Sequence, residues 1–327
     1  MIPIGIRPTN DFAFKKTFGT PGNTLALVSL LNAILKLQVP IVNVTLQNPF
    51  NPQDFHDDKL SILDIRAVDG EGAVYDIEMQ VSTTPGLAKR MVFYGCEVFA
   101  GQMRAGQNYQ MLKPVYCIGL LKGRLWADSA RVHHAFRLTD RETGRCLEET
   151  LEVHTLELGW YNLRESDLSG ASPLDRWLYW LLNAHEYDAE TLKRLFPDLA
   201  FWRATESIER IARITEDKTM YDAREKALRD QKWILEATIQ QGLEQGLKQG
   251  IEQGIQQGMQ QGIQRGMQLG VEQGRAEGTL LGRISLIQTL QELNGDPISD
   301  DASLRNQPPE QLQVLVADLR GRLMRRS

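Results

Sequence analysis

The chain has 327 residues, of which 42% are hydrophobic and 24% charged, with a formal net charge of −5. That composition is that of a globular protein with a sizeable core, and the acidic balance argues against a protein that coats nucleic acid non-specifically. The three cysteines, Cys96, Cys117 and Cys146, are widely spaced and form no C-x-x-C, so neither a disulfide framework nor a zinc site is expected. The opening MIPIGIRPTN has no basic stretch followed by an apolar one, and no run approaches 18 apolar residues. The expectation is a cytoplasmic protein with no membrane association.

Taken in chain order, Asn10–Phe18 opens with a polar cap and carries Phe12, Phe14 and Phe18 on one helical face. Asn23–Leu37 keeps Leu27, Leu30, Leu31 and Ile34 at helical spacing. Ile41–Gln47 alternates as a strand does. Leu60–Val68 and Ala73–Val81 are two strands joined by Asp69-Gly70-Glu71-Gly72, a hairpin turn by composition. Pro85 starts a helix reaching about Ala105. Val115–Leu121 is a continuous apolar run, hence a buried strand, and Val132–Leu138 and Leu151–Leu158 add two more. His133 and His134 are adjacent on a strand, point to opposite faces and cannot share a metal. From Pro173 to about Leu235 the pattern is helical, with Trp177, Trp180, Leu181 and Leu182 forming one apolar surface. The order predicts an α/β domain with a mixed sheet over roughly the first half.

The tail is an internal repeat. Glycine recurs at every fourth residue from Gly242 to Gly282, and an apolar residue follows each of the first eight: Leu243, Leu247, Ile251, Ile255, Met259, Ile263, Met267 and Val271. On a helix four residues advance about 400°, so the stripe drifts by about 40° per repeat and a partner following it wraps right-handedly. Each glycine costs a helix about 1 kcal/mol relative to alanine. A helix packed against a partner and a solvated linker both fit. The segments Ile284–Leu293 and Pro309–Leu323 read as a small helical end piece.

The chemistry concentrates in Leu60–Gln80, LSILDIRAVDGEGAVYDIEMQ. Alternation puts Ile62, Asp64, Arg66 and Val68 on one face of the first strand, and Asp76, Glu78 and Gln80 on one face of the second. A three-residue loop at Gly70–Gly72 pairs Asp64 with Glu78, with Cβ atoms about 5 Å apart. Two acids so placed call for a compensating cation, and Mg²⁺ is usual where the substrate is a phosphate. A two-residue turn would break this register, and a hairpin with an ordinary solvated polar face has the same spacing.

The strings TNDFAFKKTFG and DKLSILDIRAVDGEGAVYDIEMQ, followed by Arg90 and Tyr94 on the next helix, resemble the recombination-promoting nuclease and transposase family of the PD-(D/E)XK nuclease superfamily. GQNYQMLKPVYCIGLL and VHHAFRLTDRETGRCLEETLEVHTLEL extend the resemblance over about residues 7 to 160. It implies a PD-(D/E)XK (restriction-endonuclease-like) core with a mixed central sheet flanked by helices, followed by a helical region and a long glycine-repeat helix. The expected divisions are 1–165 for the nuclease-like core, 166–235 for a helical extension, 236–283 for the repeat and 284–327 for the end piece.

By the same resemblance, Asp64 and Glu78 match the acidic metal ligands and Asp11 the family's N-terminal acid. The catalytic set is then Asp64, Glu78 and Gln80, and the metal set Asp64, Glu78 and Asp11. Gln80 stands where the superfamily more often has lysine; a neutral amide orients by hydrogen bonds but carries no charge. Arg90, with Lys89, is the expected DNA-phosphate contact; Lys15 and Lys16 are weaker candidates, and Tyr94 reads as packing. The implied function is a DNA endonuclease dependent on Mg²⁺ (or Mn²⁺/Ca²⁺), linked to recombination or mobile elements and assembling through the repeat helix. The alternative is a catalytically weak nucleic-acid-binding protein whose tail drives oligomerisation. No G-x-x-x-x-G-K-[ST], H-E-x-x-H or G-x-S-x-G occurs, which removes nucleotide-hydrolysing, zincin and serine-hydrolase readings.

Overall fold

The first helix, α1 (Asp11–Phe18), begins where Asn10 supplies a cap: its side-chain oxygen accepts from the Ala13 amide at 3.3 Å. The computed structural model describes residues 2–50, 65–80 and 85–325, and of Gln80 only the backbone. The contacts divide the chain into two units, Met1–Trp233 and Ile234–Ser327.

In the first unit, α2 (Thr24–Leu35) is followed by β1 (Val44–Leu46), β2 (Ile65–Asp69), β3 (Val74–Gln80), α3 (Leu87–Gly101), β4 (Val115–Leu121), β5 (His133–Arg137) and β6 (Leu151–Glu157). Among the described residues these strands form one six-stranded sheet in the order β1-β2-β3-β4-β6-β5. The β3–β4 and β4–β6 pairs are parallel and the others antiparallel. The sheet is thus mixed, as the order of elements predicted. All seven residues of β4 are buried, which is why its sequence is an unbroken apolar run and not an alternation.

The two faces of the sheet serve different ends. Ile65, Ala67, Tyr75, Ile77, Ile118 and Leu156 join one large core with Phe12 and Phe18 of α1 and the helices that follow the sheet. Those helices are α4 (Pro173–Asn183), α5 (Ala189–Leu195) and α6 (Leu199–Arg213). Trp177 stacks on Phe201 at 3.9 Å and meets Phe18 edge-on at 5.7 Å, and its indole donates to Ser29 Oγ at 3.1 Å. The single helical region expected from Pro173 onward is divided because Ser172 and Asp188 each restart the backbone as side-chain caps.

The opposite face packs against α3, through Leu87 and Met91 over Val74, Val115, Cys117, Leu121 and Val153. Gly95 lets α3 come close. A Cβ there would lie 2.6 Å from Leu151 Cδ1 and 2.8 Å from Cys117 Sγ.

The helix α7 spans Thr215–Asn294 and runs through the whole glycine repeat, so the repeat is helical and not an irregular linker. In the second unit the apolar row from Leu243 to Val271 is exposed, each residue by 53–70%. The glycines between 242 and 282 face open space: a Cβ added at any of them meets nothing within 4 Å. Beyond the repeat, Ile284, Ile287 and Leu290 pack with Leu304 of α8 (Asp301–Arg305) and with Leu312 and Leu319 of α9 (Pro309–Met324). Among the described residues no single helix is long and apolar enough to cross a membrane.

Candidate active site

The β2–β3 hairpin is closed by a three-residue loop. The Asp69 amide donates to Ala73 O at 3.1 Å and the Gly72 amide to Asp69 O at 3.2 Å, with Gly72 at φ 89° in the left-handed region open to glycine. The Asp69 carboxylate ties the turn together, accepting from the Glu71 and Ala73 amides at 2.9 and 3.0 Å and from Tyr75 Oη at 2.6 Å. The loop sets the register Ile65↔Ile77, Arg66↔Asp76, Ala67↔Tyr75 and Val68↔Val74, which is that of a three-residue turn and not of a two-residue one. Asp64 lies outside the described residues.

Parity then sends Arg66, Asp76 and Glu78 to the α3 face. Asp76 is 9% exposed, with Oδ1 3.6 Å from Arg66 Nε; neither atom has a hydrogen-bond partner among the described residues. Glu78 Oε1 accepts from Arg90 Nη2 at 2.6 Å, the two side chains being 15% and 30% exposed. Burial pushes the carboxyls of both Asp76 and Glu78 above the ordinary carboxylate range. Arg66 pulls the first partly back and Arg90 the second, while the Asp76 charge pushes Glu78 further up. Two largely buried carboxyls thus lie on one face of β3, each with an arginine close by.

The remaining predicted residues are distributed around this point. Lys89 is exposed on α3 beside Arg90, and Tyr94 is half-buried one turn on. Arg90, the expected phosphate contact, is paired with Glu78 and remains 30% exposed. Gln80 ends β3 as the register partner of Leu121. Asp11 opens α1 and is held by α7: Arg224 Nε donates to its Oδ2 at 3.0 Å and Nη2 donates to the same oxygen. Asp11 Oδ1 accepts from the Phe12 amide at 2.8 Å. Among the described residues no three His, Cys, Asp or Glu side chains converge as a metal cluster. His133 and His134 diverge as expected, the first to His154 Nδ1 at 3.0 Å and the second toward Glu157 Oε1 at 3.8 Å.

Arg224 was missed in the sequence, although its signal was there. Asp217, Tyr221, Arg224 and Glu225 fall on one helical face, and each grips the α1 region. Lys16 pairs with Asp217, the Arg7 amide donates to Tyr221 Oη at 3.0 Å, and Asn10 Nδ2 donates to Glu225 Oε1 at 2.8 Å. The motif TNDFAFKK is therefore read together with the first turns of a helix more than two hundred residues downstream.

Residues 8–238 match the sequence profile of the family described as PD-(D/E)XK nuclease family transposase. The chain belongs to this family. No curated protein and no solved structure matches it. Membership in the PD-(D/E)XK nuclease family transposases implies a nuclease linked to mobile elements, with DNA as substrate; nucleases of this type use a divalent metal. The match takes in the sheet, α3, the motif on α1 and the Arg224 clamp. It stops before the first repeat glycine, Gly242.

Proposed function

We propose that this PD-(D/E)XK nuclease family transposase is a metal-dependent DNA endonuclease whose catalytic residues are Asp64, Glu78 and Gln80. The observation that carries the reading is Glu78, a carboxylate mostly withdrawn from water on the same face of β3 as Asp76, with Arg90 at 2.6 Å. The donor set fits a hard divalent cation such as Mg²⁺ or Mn²⁺. Its donors are carboxylate oxygens, and Asp76 Oδ1 beside them is buried with no hydrogen-bond partner among the described residues. Asp64 and Glu78 would hold the ion. Asp11, the third acid implied, is paired with Arg224 on the side of the sheet that α1 covers. What a divalent ion supplies at such a place is Lewis acidity, lowering the pKa of a water and offsetting the charge that builds on the phosphate.

The protein's own residues do the rest. Arg90 holds the Glu78 carboxylate in one orientation before substrate arrives. Gln80, neutral and able both to donate and to accept, orients the attacking water by hydrogen bonds. Lys89, exposed on the same turn as Arg90, is the phosphate contact that remains available to solvent. The exposed apolar row of α7 is, in this reading, the surface by which copies of the chain assemble, bringing two nuclease units to one DNA.

The test is incubation of full-length protein with supercoiled plasmid and each of Mg²⁺, Mn²⁺ and Ca²⁺, beside Asp64→Ala and Glu78→Ala. Metal-dependent nicking lost in both variants is the expected result. Protein that shifts plasmid on a gel but leaves it intact with every metal would replace this reading with that of a DNA-binding protein without turnover. The neutral Gln80 and the Arg90 grip on Glu78 are the observations that favour that second reading.

A further inference from the structure

Arg90 belongs to the first turn of α3 and sits at the border of the face that the helix buries. A helix advances about 100° per residue, so Arg90 lies about 60° from Leu87, which is buried against the sheet, and Lys89 about 160° from it, in solvent. From that border a long side chain has two directions, down to the sheet or out past Lys89. In the structure it takes the first. Its Nη2 donates to Glu78 Oε1 at 2.6 Å, while the side chain keeps 30% of its surface in water.

The pairing answers a local need. Glu78 is largely buried on the same face of β3 as Asp76, and a carboxylate so placed is costly without a cation. Asp76 has Arg66 at 3.6 Å, and Glu78 has Arg90. A divalent ion held at Glu78, as the nuclease reading requires, meets that need in place of Arg90 and repels the guanidinium, since both are cations beside one carboxylate. Arg90 then turns to the next acceptor within its reach. A phosphate of the DNA strand passing Lys89 is such an acceptor, and the guanidinium fork matches its oxygens.

We propose that Arg90 serves two partners in turn, Glu78 in the metal-free protein and a DNA phosphate once a divalent ion is held at Glu78. The ion pair thus withholds one phosphate contact until the site is ready to cut. Metal and DNA then favour each other's binding through Arg90 as well as directly. The proposal rests on the nuclease reading for its metal and its substrate, but one arm of its test needs no metal. It also explains why an arginine placed for a phosphate, beside exposed Lys89, is found paired with an acid.

The test uses full-length wild type, Glu78→Ala, Arg90→Met and the double variant Glu78→Ala/Arg90→Met. Anisotropy of a fluorescent DNA duplex follows binding over a series of salt concentrations, first in EDTA and then in Ca²⁺, with the duplex checked intact on a denaturing gel. One phosphate contact steepens the slope of log K against log salt by about 0.9. In EDTA, wild type and Arg90→Met are expected to share one slope, because Glu78 holds the arginine. Glu78→Ala releases it without metal, so this variant is expected to be steeper than the double variant by about 0.9. Its binding advantage over the double variant should shrink about 3.5-fold between about 50 and 200 mM salt. In Ca²⁺, wild type is expected to be steeper than Arg90→Met by about 0.9. Should Arg90→Met not fold, the steeper slope of Glu78→Ala against wild type in EDTA still decides.

A shallower slope for Arg90→Met than for wild type in EDTA overturns the proposal, because Arg90 then reaches DNA with Glu78 and no metal in place. Equal slopes for Glu78→Ala and the double variant overturn it as well, since the released arginine contacts no phosphate. Equal slopes for wild type and Arg90→Met in Ca²⁺, in a protein whose melting temperature Ca²⁺ raises, overturn the exchange of partners. A wild type whose melting is unmoved by Mg²⁺, Mn²⁺ or Ca²⁺ counts against the nuclease reading, while the slopes in EDTA still decide whether Glu78 withholds Arg90 from DNA.

Discussion

Arg90→Met removes the guanidinium that lies 2.6 Å from Glu78 Oε1 and keeps a side chain able to pack along α3. Breaking a fully buried ion pair costs about 3–5 kcal/mol and a fully exposed one about 0–1 kcal/mol. With Glu78 15% and Arg90 30% exposed, the pair stands between these limits, and a loss of about 1–3 kcal/mol is expected for the metal-free protein at neutral pH. The sign of the pH dependence follows from the carboxyl. Burial already holds it above the ordinary range, and without Arg90 it rises further. A group raised in the folded state lends stability below its unfolded value and loses it as pH climbs through the folded one. The penalty of Arg90→Met should therefore be largest at neutral pH and shrink as pH falls through about 4, below which Glu78 holds its proton in both states. Urea unfolding in EDTA from about pH 4 to 8, followed by the fluorescence of buried Trp177 and Trp180, measures it. Each kcal/mol corresponds to about 2–4 °C in melting temperature for a unit of this size. Mg²⁺ or Mn²⁺ should then stabilise the variant more than wild type, because the ion returns the charge that was removed. A penalty independent of pH, or equal metal responses, would show that Arg90 acts by packing and that Glu78 is no ligand.

Two further substitutions probe the frame of the site and the tail. Gly95→Ala gains about 1 kcal/mol of helix propensity but forces a Cβ to 2.8 Å from Cys117 Sγ on a central strand that cannot retreat, an overpacking cost of about 1–3 kcal/mol. A net loss of about 1–2 kcal/mol in urea unfolding is expected, most of it recovered by adding Cys117→Ala; a Gly95→Ala chain more stable than wild type contradicts the close approach of α3. In α7, Gly254, Gly258 and Gly262 changed together to alanine meet nothing within the single chain, so helix stability should rise by about 0.8–1.0 kcal/mol per position. If copies approach across the glycine row, sedimentation of the same variant gives a lighter species than wild type. A wild-type chain that sediments as a monomer ends the assembly reading.

Much of the first unit was legible from local chemistry. The Asn10 cap, the apolar run of β4 at its observed bounds, and the Asp-Gly-Glu-Gly loop all depend on residues a few positions apart, and so does the register it sets down to Ile65↔Ile77. Periodicity and turn chemistry are written at that range, and the family strings lie on the same segments. Where the readings fell short, a local signal competed with another of equal strength: Ser172 and Asp188 each restart the backbone within one apolar helical pattern, and the repeat's glycines weaken the very helix its period describes.

What only the tertiary structure decided is which charges meet. Arg90 and Lys89 are neighbours on one helix with the same charge, and only the packed structure shows that the first pairs with Glu78 while the second is exposed. Asp11 and Arg224 are 213 residues apart, and nothing in the spacing of either announces the other until α7 crosses the start of α1. Hydrophobic period and turn type are properties of a few consecutive residues, so a sequence carries them openly. The partner of a charge is set by the relative placement of whole elements, which exists only once the core has formed.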